Sequence, residues 1–133
     1  MYKKEENIIE WLKKYNIINY ELIKDNEFGY IVNINGNVDL MNKNLTRLEV
    51  KFNQINGFFD ISKNKLTSLK GCPEWVNGHF YAEKNELSSL ENGPKEVSES
   101  YFCNNNKLTS LKGSPEIINK NFYCNNNLIE KLD

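Results

Sequence analysis

The chain has 133 residues with 17 Lys and Arg, 18 Asp and Glu and one His, for a formal net charge of −1. That length suits one domain and is too short for two well-packed ones, and with five Lys against six acids over residues 1–35 and twelve of each sign beyond, no basic stripe marks a nucleic-acid binder. No apolar run approaches the roughly 18 residues of a membrane span, and the charged start Met1-Tyr2-Lys3-Lys4-Glu5-Glu6 is unlike a signal peptide, so the expected setting is cytoplasmic and the three cysteines are expected to be reduced.

In chain order, the first element is a helix. Ile8, Ile9, Trp11, Leu12 and Tyr15 recur at helical spacing among Lys3, Lys4, Glu5, Glu6, Glu10, Lys13 and Lys14, which predicts an amphipathic helix over residues 3–15. Its polar face is too weakly cationic for a membrane surface, so its expected work is to cover the open N-terminal end of the body of the chain. Tyr20-Glu21-Leu22-Ile23 and Tyr30-Ile31-Val32-Asn33-Ile34 read as strands flanking Asp25-Asn26-Glu27-Phe28-Gly29. This hairpin is expected to continue the sheet to the first repeat, and residues 1–35 together form a cap.

Residues 36–133 repeat at a fixed spacing of 21 residues. Phe59-Asp60-Ile61-Ser62-Lys63-Asn64-Lys65-Leu66-Thr67-Ser68-Leu69 returns as Phe80 to Leu90, Tyr101 to Leu111 and Phe122 to Leu132, after a degenerate copy from Val38 to Leu48. Apolar types hold their positions down the columns Val38/Phe59/Phe80/Tyr101/Phe122 and Leu40/Ile61/Ala82/Cys103/Cys124, then in Leu45/Leu66/Leu87/Leu108/Ile129, Leu48/Leu69/Leu90/Leu111/Leu132 and Ile55/Val76/Val97/Ile118. Two apolar residues separated by a polar one mark a short strand, and stacking such strands at about 4.8 Å builds a parallel sheet around one solenoid core. Leu66, Leu87 and Leu108 are then core, while Thr67, Ser68 and Ser88 are exposed. Asn64, Asn85, Asn106 and Asn127 form an inward ladder placed to bond backbone groups of neighbouring turns, with Lys43 breaking it in the first copy. Gly71-Cys72-Pro73, Gly93-Pro94 and Gly113-Ser114-Pro115 turn the connecting arcs, which are too short for long helices.

The signature apolar, any, apolar, any, any, Asn of Phe59-Asp60-Ile61-Ser62-Lys63-Asn64, seen three times more, resembles the leucine-rich-repeat family. The arc Leu-x-x-Leu followed by Pro and an apolar residue is most similar to the short, irregular repeat of bacterial effectors. An N-terminal helix followed by units like Asn121-Phe122-Tyr123-Cys124-Asn125-Asn126-Asn127 resembles uncharacterised phage and mobile-element proteins. The resemblance covers residues 36–133 and implies an α/β solenoid: a helix and hairpin cap, then five 21-residue leucine-rich repeats forming a curved parallel sheet. Aromatics at the first strand position, where the family has Leu, imply a wider core. No capping unit is recognisable after the last repeat, which is expected to invite end-to-end pairing with a second copy of the chain or capping by the partner. The ubiquitin-ligase domain that some effectors carry has no residues here to form it.

Catalytic and metal chemistry find little to work with. The lone His79 has only Glu83 and Asp60 within expected reach and reads as a contact residue. Cys103 and Cys124 share an inward column with Ile61 and Ala82, so they read as small buried apolar side chains. Cys72, on an arc, is expected to be the accessible thiol, and a zinc site would want four ligands. Asp39 and Asp60 stack in one column without the contrasting environments a hydrolase pair needs. No catalytic residue, cofactor or metal is expected.

The outward strand positions run Asn37/Asp39/Met41, Phe58/Asp60/Ser62, His79/Tyr81/Glu83, Ser100/Phe102/Asn104 and Asn121/Tyr123/Asn125. Their middle column ends in three aromatics, and clustered aromatics turned away from a core mark interaction surfaces, though stacking between strands alone also favours them. The expected function is a non-catalytic protein-binding module. It uses the concave sheet face, with Tyr81, Phe102 and Tyr123 as anchors and Phe58, His79, Asp39, Asp60 and Glu83 around them. The phage resemblance sharpens this to an inhibitor of a host defence protein such as a CRISPR nuclease; a self-assembling structural subunit is the alternative. The partner is another protein, not nucleic acid or a membrane.

Overall fold

Glu5 and Glu6 in the first turn and Lys13 and Lys14 in the last turn oppose the helix dipole, and Ile8 and Leu12 supply a buried stripe. These residues form α1 (Glu5–Lys14). Asn16, at φ 56, ends it: the Ile17 N–H donates to the Leu12 carbonyl (2.9 Å) and the Asn16 N–H to the Lys13 carbonyl (3.1 Å), the Schellman arrangement. The computed structural model of the chain describes residues 3–130, so the expected core position Leu132 lies outside the described residues. Among them, no helix is long and apolar enough to cross a membrane.

The hairpin forms as expected from β1 (Tyr20–Asp25) and β2 (Gly29–Ile34), paired antiparallel. An Asp25 carboxylate oxygen accepts the N–H groups of Glu27 and Phe28, both at 2.9 Å, and Gly29 takes a left-handed φ of 78 that a side chain would strain.

Past the hairpin the chain winds as a parallel-sheet β-solenoid of about four turns, with α1 as its one helix among the described residues. The first apolar residue of each repeat and the outward residue after it form β3 (Val38–Asp39), β5 (Phe59–Asp60), β7 (Phe80–Tyr81), β9 (Tyr101–Phe102) and β11 (Phe122–Tyr123). These pair in sequence order with Phe59 opposite Phe80, Phe80 opposite Tyr101 and Tyr101 opposite Phe122, so 21 residues separate partners throughout. The single expected sheet is in fact two. The column Ile55, Val76, Val97 and Ile118 belongs to a second parallel sheet of β4 (Phe52–Ile55), β6 (Trp75–Val76), β8 (Glu96–Val97) and β10 (Ile117–Ile118). The hairpin extends this second sheet, through β2 on β4, and not the sheet of β3. Each turn thus closes between two sheets, which pairs backbone groups on both sides of a thin core.

That core is an internal aromatic file. Phe52 and Phe59 lie 5.0 Å apart between centroids, Phe59 and Phe80 6.0 Å, Phe80 and Tyr101 4.8 Å, and Tyr101 and Phe122 5.3 Å. Leu66, Leu87 and Leu108 are buried and Thr67, Ser68 and Ser88 exposed, as the columns require. The asparagine ladder closes the bend after each strand. Asn85 accepts the Leu66 N–H at 3.0 Å and donates to the Ala82 carbonyl of its own turn and the Ile61 carbonyl of the turn before. Asn64, Asn106 and Asn127 repeat the pattern. In the first copy, where Lys43 replaces the Asn, both Asn42 and Asn44 sit at φ 57, whereas the later bends need one left-handed residue each.

The arcs turn through a bond from Cys72 N–H to Leu69 carbonyl (3.0 Å), repeated by Gly93 on Leu90 (3.2 Å) and Ser114 on Leu111 (3.1 Å). The position that must be left-handed is Gly71 (φ 94), Asn92 (φ 70) and Gly113 (φ 90), so in the middle arc it is Asn92 and not Gly93. This turn also corrects the thiol reading: Cys72 follows it into the core and is 0% exposed, while Cys124 is the half-buried one.

Candidate functional site

The outer face of the β3–β11 sheet carries the expected row. Alternation along each two-residue strand turns Phe59, Phe80, Tyr101 and Phe122 inward, so Asp60, Tyr81, Phe102 and Tyr123 face out. In-register pairing then brings the outward rings together. Tyr81 and Phe102 stack at 4.9 Å and 17°, and Phe102 and Tyr123 at 4.7 Å and 14°. Phe58 meets Tyr81 edge-on at 6.2 Å, and His79 lies 5.6 Å from Tyr81 and 6.2 Å from Phe102. Tyr123 is 40% exposed; Phe58, His79, Tyr81 and Phe102 are half-buried by one another. The structure therefore brings Phe58, His79, Tyr81, Phe102 and Tyr123 into one cluster, with Asp60 and Glu83 at its edge and Asp39 one turn further, fully on the surface.

The polar members divide between structure and surface. His79 Nδ1 accepts the Ser100 N–H at 3.2 Å, which places the ring proton on Nε2, and Asn37 and Ser100 accept the N–H groups of Phe58 and Asn121 in the same way. Asp60 accepts from the Ser62 N–H (2.9 Å) and hydroxyl (2.6 Å), which folds Ser62 down until it is buried. Ser62 and Ser100 are thus closed off, although their positions were expected to face outward. Burial, and after it the charge of Asp60, raises the Glu83 carboxyl above its ordinary value, against its own backbone N–H and the pull of Lys84 and Lys63. Tyr81 is raised by burial and by Asp60 and Glu83.

Sequence reasoning missed two other features. Trp75 and Ile117 are 42% and 47% exposed on the outer face of the second sheet, on either side of Glu96, where they line a shallow hollow of about 310 Å³ with Gln54. Their signal was present, as the position just before the Ile55 column, but it has no meaning until that column is known to be a sheet. A larger cleft of about 620 Å³ opens where the cap meets the first arcs, lined by Ile8, Phe28, Tyr30, Leu48, Arg47 and Lys70 among others. Elsewhere, burial pushes the Cys103 thiol up to about 12 and Cys72 well above its ordinary value, which leaves both poor nucleophiles. Among the described residues no three His, Cys, Asp or Glu converge as metal ligands do. No protein-family model, no curated protein and no solved structure matches the chain.

Proposed function

We propose that the chain is a non-catalytic protein-binding module, a leucine-rich-repeat-like solenoid of five repeats that docks its partner on the outer face of the β3–β11 sheet. Tyr81, Phe102 and Tyr123 are the anchors, bordered by Phe58, His79, Asp39, Asp60 and Glu83. The observation that carries this reading is the outward stack of three rings at 4.7 and 4.9 Å. Rings already locked by their neighbours lose little side-chain entropy when a partner covers them, and Tyr is among the residues most enriched in binding hot spots. His79 supports the reading as well, since its Nδ1 is engaged by the Ser100 N–H and its ring lies against Tyr81 and Phe102 as a contact residue's does. Given the resemblance to phage proteins, a host defence protein such as a CRISPR nuclease is the first partner to try.

The test is capture of the partner from host extract, followed by affinity measurement on variants shown to be folded by circular dichroism. Tyr81→Ala, Phe102→Ala and Tyr123→Ala are each expected to weaken binding by about 1–4 kcal/mol. Lys112→Ala, on an arc with 78% of its side chain exposed, is expected to change affinity by less than about half a kcal/mol. Unchanged binding in all three aromatic variants would overturn this site.

A further inference from the structure

The outward row changes character at one step. It runs Asp39, Asp60, Tyr81, Phe102, Tyr123, so two short carboxylates give way to three rings between β5 and β7. Phe102 covers one face of the Tyr81 ring, but the neighbour on the other side is Asp60, which carries no ring to stack there. Phe58 reaches Tyr81 only edge-on.

Charge is arranged around the same step. Along the arcs, Glu74 pairs with Lys95, Glu86 with Lys107, Glu91 with Lys112 and Glu99 with Lys120, each Lys standing one turn on from its acid. Among the described residues, Asp39, Asp60 and Glu83 on the sheet face have no ion pair of this kind, and the fifteen outward positions hold no Lys or Arg. Lys63 and Lys84 stand exposed at the adjoining bend, where their charges act on Glu83 without forming an ion pair with it. Glu83 Oε1 and Asn104 Oδ1, in adjacent turns of the outward column beside the rings, are buried acceptors with no donor among the described residues. Clustered negative charge beside a ring that Phe58 meets only edge-on and His79 only at a tilt calls for a cationic donor that is itself flat.

We infer, resting on the protein-binding reading above, that the partner inserts an arginine side chain at this step, its guanidinium over Tyr81 and its N–H groups on Asp60 and Glu83. A guanidinium stacks on an aromatic face while presenting a planar fork to carboxylates, which an ammonium does not do. Its arrival neutralises the pair of carboxylates that repel one another.

The test titrates the ¹⁵N-labelled full chain with N-acetyl-argininamide and with N-acetyl-citrullinamide, its neutral near-isostere, following amide shifts by NMR. The arginine probe is expected to shift Asp60, Tyr81 and Glu83 most and to bind roughly fivefold or more tightly than citrulline. The double variant Asp60→Asn, Glu83→Gln keeps the acceptor that Ser62 uses and is expected to lose that preference, at unchanged circular dichroism. Equal binding of the two probes, shifts centred elsewhere, or an unaltered preference in the double variant overturns the inference. The underlying reading fails on a different measurement, the affinity of the captured partner for the three alanine variants, whatever the arginine probe does.

Discussion

Tyr101 differs from Phe59, Phe80 and Phe122, its column mates, by one oxygen. The ring is 0% exposed and that hydroxyl is buried with no partner among the described residues, 3.3 Å from where a side chain at Gly93 would begin. Burial holds the phenol well above its ordinary pKa, so it is neutral throughout the working range. A buried hydroxyl without a hydrogen bond costs about 1–3 kcal/mol relative to water. Tyr101→Phe is therefore expected to raise stability by about 1 kcal/mol in denaturant titration; a loss of stability would show that the oxygen is bonded in solution. The thiols are decided at this scale too. Alternation along the strand identified Cys103 as inward, but the depth of Cys72 depends on how far a turn of Lys70 and Gly71 drives the next residue under its neighbours, and no local pattern encodes that.

Among the elements, the bends after each strand are where the repeat is held. Each ladder Asn answers at least one backbone N–H and at least two carbonyls from two successive turns, groups that lie beside it. Removing the amide strands all of them at once. Asn85→Ala is expected to cost about 2–4 kcal/mol, since each unmet buried group costs about 1–3 kcal/mol and relaxation recovers part. Asn127→Ala, in a turn only partly buried, is expected to cost less than half as much, and equal losses in thermal unfolding would contradict the ladder as the source. The Glu86–Lys107 and Glu91–Lys112 pairs along the arcs contribute far less, because both partners are exposed and screened. This ladder was legible beforehand because 21-residue stacking puts the same position of every repeat in one column.

For the molecule as a whole, a solenoid's stability is the sum of its turns and their interfaces, and an uncovered end leaves both apolar columns and strand edges open. Here α1 covers the start: Ile8, Leu12 and Ile17 join the same buried cluster as Val38, Leu40 and Phe52, and Trp11 lies 6.3 Å from Phe52. Leu12→Ala is expected to cost about 2–5 kcal/mol. Its first effect should be faster amide exchange in β2 and β3, with β7 and β9 changing least; uniform acceleration along the chain would mean that the cap is not a separate interface. The sequence by itself determined the period, the inward columns, the asparagine ladder, the cap and the outward aromatic row. In an in-register stack every tertiary neighbour is the same position one repeat away, so a regularity along the chain is already a contact in space. Only the tertiary structure decided that the Ile55 column is a second sheet, which thiol is shielded, that Ser62 and Ser100 are closed off, and that Trp75 and Ile117 are exposed. Each of these depends on how a turn closes onto the far side of the core, where one apolar residue per repeat has no apolar partner two residues away to mark a strand and packing between the two sheets sets what is covered.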